Sequence, residues 1–295
     1  MAGTGPIPPV PSEALGAADV LRAASLIKTG TVYDLDCGRW PGMPLWHGHP
    51  AFQVLAYRSP RGIEVEGDQT WLGSNEVGYR WHSDLVMGTV HSGTHIDALC
   101  HVTCGRDNHW YGGVSANTST GDFGPLRNDA MSMPPLVGRG VLIDVAGYRG
   151  VRALPAHEQI GADELRRALE RQGTTLEKGD IVLVRTGYLA HWPDPDGIAA
   201  HADAGIDLEA AELLLGAGCV AMGSDTESFE CLPSNVDGDP QPVHRVVLIE
   251  HGVYILEMVY CEELARDRVY EFFFVCAPLK IRYATGSMVR PIAVV

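Results

Sequence analysis

The chain reads as an α/β protein, and three observations lead there. Two compact apolar runs, Gly140 to Val145 and Asp180 to Arg185, are bounded by turn residues and have the look of buried central strands. Between them, Gly161-Ala162-Asp163-Glu164-Leu165 opens a helical pattern that runs to about Gln172. The pattern then repeats: Ile206 to Leu215, closed by Gly216, leads into a further short apolar run from Cys219 to Met222. Strands alternating with helices through the middle of a chain argue for an α/β core.

The flanking elements follow in order. Residues 12 to 29 carry an Ala/Leu-rich helical pattern with Ser12 as its cap. Thr31 to Leu35 alternates like a short strand, and residues 38 to 50, rich in Gly, Pro, Trp and His, form an irregular loop. Phe52 to Tyr57, Val253 to Met258 and Tyr270 to Ile281 complete the strands. The segment from Met1 to Pro11 lacks the basic start and apolar centre of a signal peptide, and its Gly and Pro content predicts a loose arm. No repeat, linker or low-complexity stretch divides the rest. The expected organisation is an N-terminal arm and helix (1–29) followed by a single domain (30–295).

Composition narrows the partners. The 295 residues suffice for one sizeable core, and 45% hydrophobic with 20% charged residues is ordinary for a globular protein. A formal charge of −15, from 22 Lys+Arg against 37 Asp+Glu, argues against nucleic acid or an anionic membrane as partner. No run of eighteen apolar residues is present, so no transmembrane helix is expected. Seven cysteines at irregular spacing fit reduced thiols in the cytoplasm. Cys100 and Cys104 have no second pair with which to complete a four-cysteine zinc site.

The chemistry concentrates in His91-Ser92-Gly93-Thr94-His95-Ile96-Asp97-Ala98-Leu99-Cys100-His101. Three histidines and an aspartate are the usual ligands of a borderline divalent metal such as Zn²⁺ or Mn²⁺. On a straight helix, His91 and His95 would sit roughly 40° apart, with Asp97 and His101 far round the cylinder. On a strand the four share a face, but its ends lie roughly 33 Å apart. They converge only if the backbone bends, and Gly93 is where it bends most easily. The expectation is a curled loop wrapped round an ion; the competing reading is a group of solvated loop histidines. Ser92 in place of Glu after His91 separates the stretch from the helical zinc-protease motif.

The stretch resembles the His-x-Gly-Thr-His-x-Asp-x-x-x-His pattern of the metal-dependent cyclase superfamily, which includes bacterial kynurenine formamidases and isatin hydrolases. Leu99 stands where the shorter formamidases have Pro, and the length of 295 fits the longer members. Further matching segments are Asp180 to Gly187, Gly223 to Thr226, His244 to Leu248 leading to Ile255-Leu256-Glu257, Pro278-Leu279-Lys280, and Thr285-Gly286-Ser287 with Arg290-Pro291. The resemblance spans roughly residues 30 to 295. It implies a swivelling β/β/α fold, a central mixed β-barrel-like sheet flanked by helices. It also implies that His91, His95 and Asp97 hold the metal, and that the protein is a homodimer or homotetramer.

His101 is the candidate general base or acid, since an imidazole titrates near neutral pH; a fourth metal ligand or a partner to a ligand is the alternative. Glu257 sits in an apolar run where a carboxylate is costly to bury unless paired or coordinated. The resemblance implies that His244 and Glu257 hold a second metal in formamidases, with the aspartate bridging, while longer members work with one. One ion is expected here. Trp46, within the aromatic loop that also holds Trp40, Pro44, His47 and His49, and Trp81, within Tyr79-Arg80-Trp81-His82, are candidates for a substrate wall or for plain packing. Arg185 is a candidate carboxylate clamp or a structural ion pair. Asp225 and Glu227 follow a strand end and either line a crevice or cap a helix. There is no Gly-x-Ser-x-Gly elbow and no phosphate loop. The expected activity is metal-dependent hydrolysis of an amide, cyclic imide or lactone in a small substrate, with the aromatic residues near the loop hinting at an aryl amide or heterocycle. A metal-dependent cyclase or dehydratase, and a non-catalytic metal-stabilised binding protein, are the alternatives.

Overall fold

A sheet of nine strands dominates the computed structural model, which describes residues 7–295. The strands used below are β1 (Val32–Asp34), β2 (Gln53–Arg58), β3 (Ser83–Met87), β4 (His95–Asp97), β5 (Leu136–Asp144) and β6 (Ile181–Arg185). They continue with β7 (Ala221–Ser224), β8 (Tyr254–Glu257), β9 (Glu271–Cys276), β10 (Gly286–Met288) and β11 (Ile292–Val294). The sheet order is β1-β11-β9-β5-β6-β7-β8-β4-β10. β5 to β8 are mutually parallel, and on both flanks every successive pair of strands is antiparallel. The sheet curls into a half-barrel flanked by helices. β2 and β3 pair only with each other, as a separate hairpin.

The parallel centre forms where the apolar runs lie. Val141, Leu142, Ile143, Ile181, Val182, Leu183, Met222, Ile255 and Leu256 are all fully buried, as strands covered on both faces must be. The crossovers are α3 (Ala162–Gln172) and α4 (Leu208–Gly216), which follow α1 (Ala17–Ala24) and α2 (Pro60–Glu66) in the chain. Asp163 and Glu164 sit in the first turn of α3, where the helix dipole favours them, and Gly173 ends it in the left-handed conformation. The Asp207 carboxylate accepts the Ala210 N–H and caps α4.

Three expectations are corrected. The helix expected over residues 12 to 29 is confined to Ala17–Ala24; Ser12 belongs to a separate 3-10 turn, Pro11–Ala14, and Gly16 is the residue that precedes the helix. Beyond Ala24 the backbone tightens into i→i+3 turns at Leu26 and Ile27, Ile27 is left exposed, and Gly30 takes φ +75°. The long strand expected from Tyr270 ends at Cys276. The curled metal loop contains a short strand, β4, locked between β8 and β10. Of the expected N-terminal arm, Met1 to Pro6 lie outside the described residues. Among the described residues no helix is long and apolar enough to cross a membrane, and no cysteine is in a disulfide.

Candidate metal centre

The register of β4 builds the centre. His95 pairs with Glu257 on β8 and with Met288 on β10, while Asp97 pairs with Gly286. Directly opposed residues of an antiparallel pair place their side chains on the same face, so His95 Nε2 meets Glu257 Oε2 at 3.1 Å. A Cβ on Gly286 would lie 2.7 Å from the His91 ring, so only glycine lets that ring approach the strand.

The preceding loop bends where the sequence predicts. Gly93 has φ +57°, and a Cβ there would fall 2.9 Å from the Gly38 carbonyl oxygen. The Thr94 hydroxyl accepts the Cys37 N–H at 2.9 Å and donates to the Met258 carbonyl at 2.6 Å. Arg39 Nε donates to the Ser92 carbonyl at 2.8 Å, and the same guanidinium is paired with Asp36 at 3.0 Å. The loop is therefore pinned from both sides by protein groups.

Six side chains converge. Asp97 Oδ1 lies 2.9 Å from His91 Nδ1 and 3.7 Å from His95 Nε2, and Oδ2 lies 3.8 Å from His244 Nε2. His244 Nε2 is also 3.3 Å from Glu257 Oε1. Two groups of ligand-type atoms, each within 4.8 Å of one another, share Asp97: His91, Asp97 and His101, and His95, Asp97 and Glu257. Other contacts fix the tautomers. The Gly93 carbonyl accepts from His95 Nδ1 at 2.8 Å, and the Glu230 carboxylate accepts from His244 Nδ1 at 2.5 Å, which turns both Nε2 atoms toward Asp97 and Glu257. Glu230 itself accepts the backbone N–H groups of Val243 and His244.

Both Asp97 oxygens, Glu257 Oε1 and His91 Nδ1 are buried without a hydrogen-bond partner. Imidazoles stand within ion-pair distance of these carboxylates without an aligned hydrogen bond to the named oxygens. Buried carboxylate oxygens left so are costly, and a divalent cation is a group that satisfies them. The nitrogen and carboxylate donors also suit Zn²⁺ or Mn²⁺. The residues therefore fit a metal.

The electrostatics agree. Burial alone would raise Asp97, but the imidazoles of His101, His91 and His95 outweigh it and hold the carboxyl far below the usual range. Burial and the Asp97 charge raise Glu257, and His244 and His95 overcome them to keep it lowered. Burial depresses His101 to about 4, against the pull of Asp97, so its ring is neutral at pH 7. Burial and then the Glu257 charge push Glu227 up to about 7.

A narrow cavity of about 20 Å³ opens beside His91, His95 and Glu257, walled by Pro44, Trp46, His49, Glu227 and Met258. Of the candidate substrate residues, Trp46 lies on this wall. Trp81 does not: it packs on Trp71 at 5.4 Å and Tyr79 at 5.9 Å on the hairpin side. Arg185 takes the second of its two expected roles, a structural ion pair. Its guanidinium is buried and consumed by Asp144 at 2.7 Å, Glu262 at 2.7 and 2.8 Å, and the Arg152 carbonyl at 3.1 Å. Asp225 caps the Thr186–Gly187 turn, whereas Glu227 reaches the cavity. His49 stacks on His91 with ring centroids 5.5 Å apart, and Thr285 Oγ1 meets His91 Nε2 at 2.9 Å. Glu230 was not singled out from the sequence; it follows Phe229 in a polar stretch, with no pattern that distinguishes it from a surface acid.

The cyclase family model matches residues 33–231. No curated protein matches the sequence. Among solved structures, the chain is similar to one described as a novel cyclase, at 26% identity and a TM-score of 0.84, over 97% of this chain and 95% of that one. It is similar to isatin hydrolase A from Ralstonia solanacearum at 23% identity and a TM-score of 0.63, over 99% of both chains. It also shares its fold with a predicted metal-dependent hydrolase from Bacillus stearothermophilus, at 19% identity and a TM-score of 0.54, over 90% and 98% of the two chains.

Proposed function

The chain belongs to the cyclase family, and on that premise we propose that it is a metal-dependent hydrolase that opens an amide, cyclic imide or lactone bond in a small substrate, aromatic or aliphatic. The observation that carries this reading is Asp97, whose two buried oxygens have no aligned hydrogen bond yet face histidines from two directions. Of the expected ligands His91, His95 and Asp97, the two histidines fall in different groups that share Asp97. A single divalent ion, Zn²⁺ or Mn²⁺, would be held by His95, Asp97 and Glu257 with His244 beside them, and His91 and His101 stand on the other side of Asp97. Bound there, the ion supplies a Lewis acid for the substrate carbonyl and acidity to water. The similarity to isatin hydrolase and metal-dependent hydrolase structures supports the same class.

The remaining work falls to side chains. His101, neutral at pH 7, accepts a proton from the attacking water and returns it to the leaving nitrogen or oxygen. Glu227, titrating near neutrality, is a second group able to carry a proton at the cavity wall. Trp46, Pro44 and Met258 present apolar surface and exclude bulk water. The cavity of about 20 Å³ has room for a water beside His91, His95 and Glu257.

Plasma mass spectrometry of protein purified without chelator or nickel tests the centre. One ion per chain, the expected number, supports a single site at one of the two groups around Asp97; two would occupy both; none, after addition of Zn²⁺ or Mn²⁺ and dialysis, overturns the reading. The family name favours a second reading, cyclisation or dehydration. Solvent oxygen-18 separates the two, because hydrolysis incorporates it and cyclisation does not. A binding protein without turnover would show His101 closing the coordination sphere.

The proposed assembly is a homodimer or homotetramer. The β2–β3 hairpin supports it: Val54, Leu55, Tyr57, Leu85, Val86 and Met87 are all exposed on a two-stranded arm, a concentration of apolar surface typical of interfaces. Light scattering that returns a monomer at micromolar concentration would remove it. The unpaired cysteines support a reducing, cytoplasmic setting.

A further inference from the structure

Cys104, His109 and Asp107 form a second chemical cluster, outside the metal centre. Cys104 Sγ lies 3.2 Å from His109 Nε2, and His109 Nδ1 lies 3.0 Å from Asp107 Oδ1. The carboxylate can only accept, so Nδ1 carries the hydrogen and Nε2 is left as the acceptor facing the thiol. This is a nucleophile, a base and a group that orients the base.

The backbone is shaped around the cluster. Cys104 and His109 pair across a tight turn, with reciprocal N–H to carbonyl bonds of 3.2 and 2.9 Å. Gly105 sits at φ +72°, and a Cβ there would fall 2.9 Å from two atoms of the His109 ring and 3.0 Å from Asp107 Oδ1. Only glycine leaves room for the imidazole between the other two. The Asp107 carbonyl is pinned by Ser115 and Asn117, each at 3.2 Å.

Cys104 and Gly105 line a cavity of about 600 Å³ whose other walls include Pro240, Gln241, His244 and Arg245. That volume lies in the range of small-molecule sites. Among the described residues, Cys104 is the one cysteine of seven whose sulfur faces an imidazole nitrogen. Cys100, Cys219, Cys261 and Cys276 are buried, while Cys37 and Cys231 point their sulfurs at carbonyl oxygens. Partial burial raises the Cys104 thiol, Arg245 lowers it, and Glu250, Asp107 and Asp239 raise it further. The group is therefore a thiol presented to a base rather than a standing thiolate.

We propose that Cys104 is a reactive thiol that undergoes exchange with small-molecule disulfides, with His109 as its general base and Asp107 as the residue that positions it. The sulfur attacks one sulfur of R–S–S–R, forming the Cys104–S–S–R bond as the original disulfide bond breaks. The thiol proton passes to His109 Nε2 and then to the departing thiolate. The balance is Cys104–SH + RSSR → Cys104–S–S–R + RSH, so the disulfide oxidises the protein thiol and one half of it leaves reduced. The retained R group occupies the cavity walled by His244.

The test uses the native full chain with substoichiometric 4,4′-dithiodipyridine. Thiopyridone release gives the rate, and peptide mass spectrometry gives the site. Cys104 is expected to react at least tenfold faster than Cys37 or Cys231, and His109→Ala to slow it at least tenfold. Asp107→Asn should give a smaller loss. Labelling of Cys104 at the rate of Cys37 and Cys231 in the unmodified protein, a result that needs no variant to fold, would overturn the proposal. An unchanged rate in folded His109→Ala would overturn the role of the base.

Discussion

Glu257 stands directly opposite His95 in the β8–β4 register, with Oε2 3.1 Å from His95 Nε2. A single backbone pairing therefore brings together two parts of the chain that are remote in sequence, and the candidate metal centre inherits its geometry from the sheet rather than from a flexible loop.

The first consequence concerns metal retention. Glu257→Gln keeps the shape and removes the charge, so bound metal should fall below half of the unmodified stoichiometry after dialysis. Chelator should lower the melting temperature of the unmodified protein, and added Zn²⁺ or Mn²⁺ should restore it; a ligand at one hundred times its Kd stabilises by about 2.7 kcal/mol. A variant that binds metal as fully as the parent would remove Glu257 from the centre.

Glu230 fixes the tautomer of His244 through a 2.5 Å contact. Glu230→Gln weakens that acceptor and leaves the ligand atoms untouched. Metal affinity is expected to drop about 10- to 100-fold, measured by competition with a chromophoric chelator. Unchanged affinity would mean that His244 contributes nothing to binding.

His101 separates chemistry from coordination. If it moves the proton, His101→Ala should reduce turnover about 10²- to 10⁴-fold while metal content stays at the parent level. Joint loss of metal and turnover would assign it to the ligand set with His91 and Asp97.

Arg185 is a stability residue. Arg185→Met strips the partner from Asp144 and Glu262, and breaking a buried ion pair costs about 3–5 kcal/mol. Urea unfolding should register this. A change in KM with normal stability would instead return Arg185 to substrate binding.

Asp225 links stability to pH. Burial pushes its carboxyl up to about 6, despite Arg185 and the donors of Thr186 and Gly187. A folded-state value above the unfolded one means that folding takes up a proton. That contribution is fully present below about pH 4 and lost as pH rises through about 6, a change of about 3 kcal/mol. Asp225→Asn should be destabilised at every pH, because its amide faces an N–H donor, but its deficit should shrink between pH 5 and pH 7. Parallel stability profiles for the two proteins would place the Asp225 carboxyl at an ordinary value.

Much of the fold was legible because local patterns carry it. The runs at 140–145 and 180–185 are too apolar and too short to be anything but buried strands, and they appear as β5 and β6. The α3 boundaries follow from Gly161, Gly173 and the acidic first turn. By contrast, β10 begins at Gly286 and β11 follows Pro291; both are three-residue strands with no periodicity to read, and they exist because β4 and β9 offer them hydrogen bonds. The Ser12 cap failed for a related reason: capping is decided by where the helix meets the sheet, and Gly16 precedes that point.

By itself the sequence determined the α/β class, the Gly93 bend and the ligand-type residues His91, His95, Asp97 and His101, because spacing and backbone permissiveness are local properties. Only the tertiary structure decided which groups face Asp97, that Arg185 is spent inside the protein, that Trp81 packs on the hairpin side, and that Glu230 stands behind His244. Those outcomes depend on strand register and on which buried charges meet, and a linear chain does not carry either until it folds.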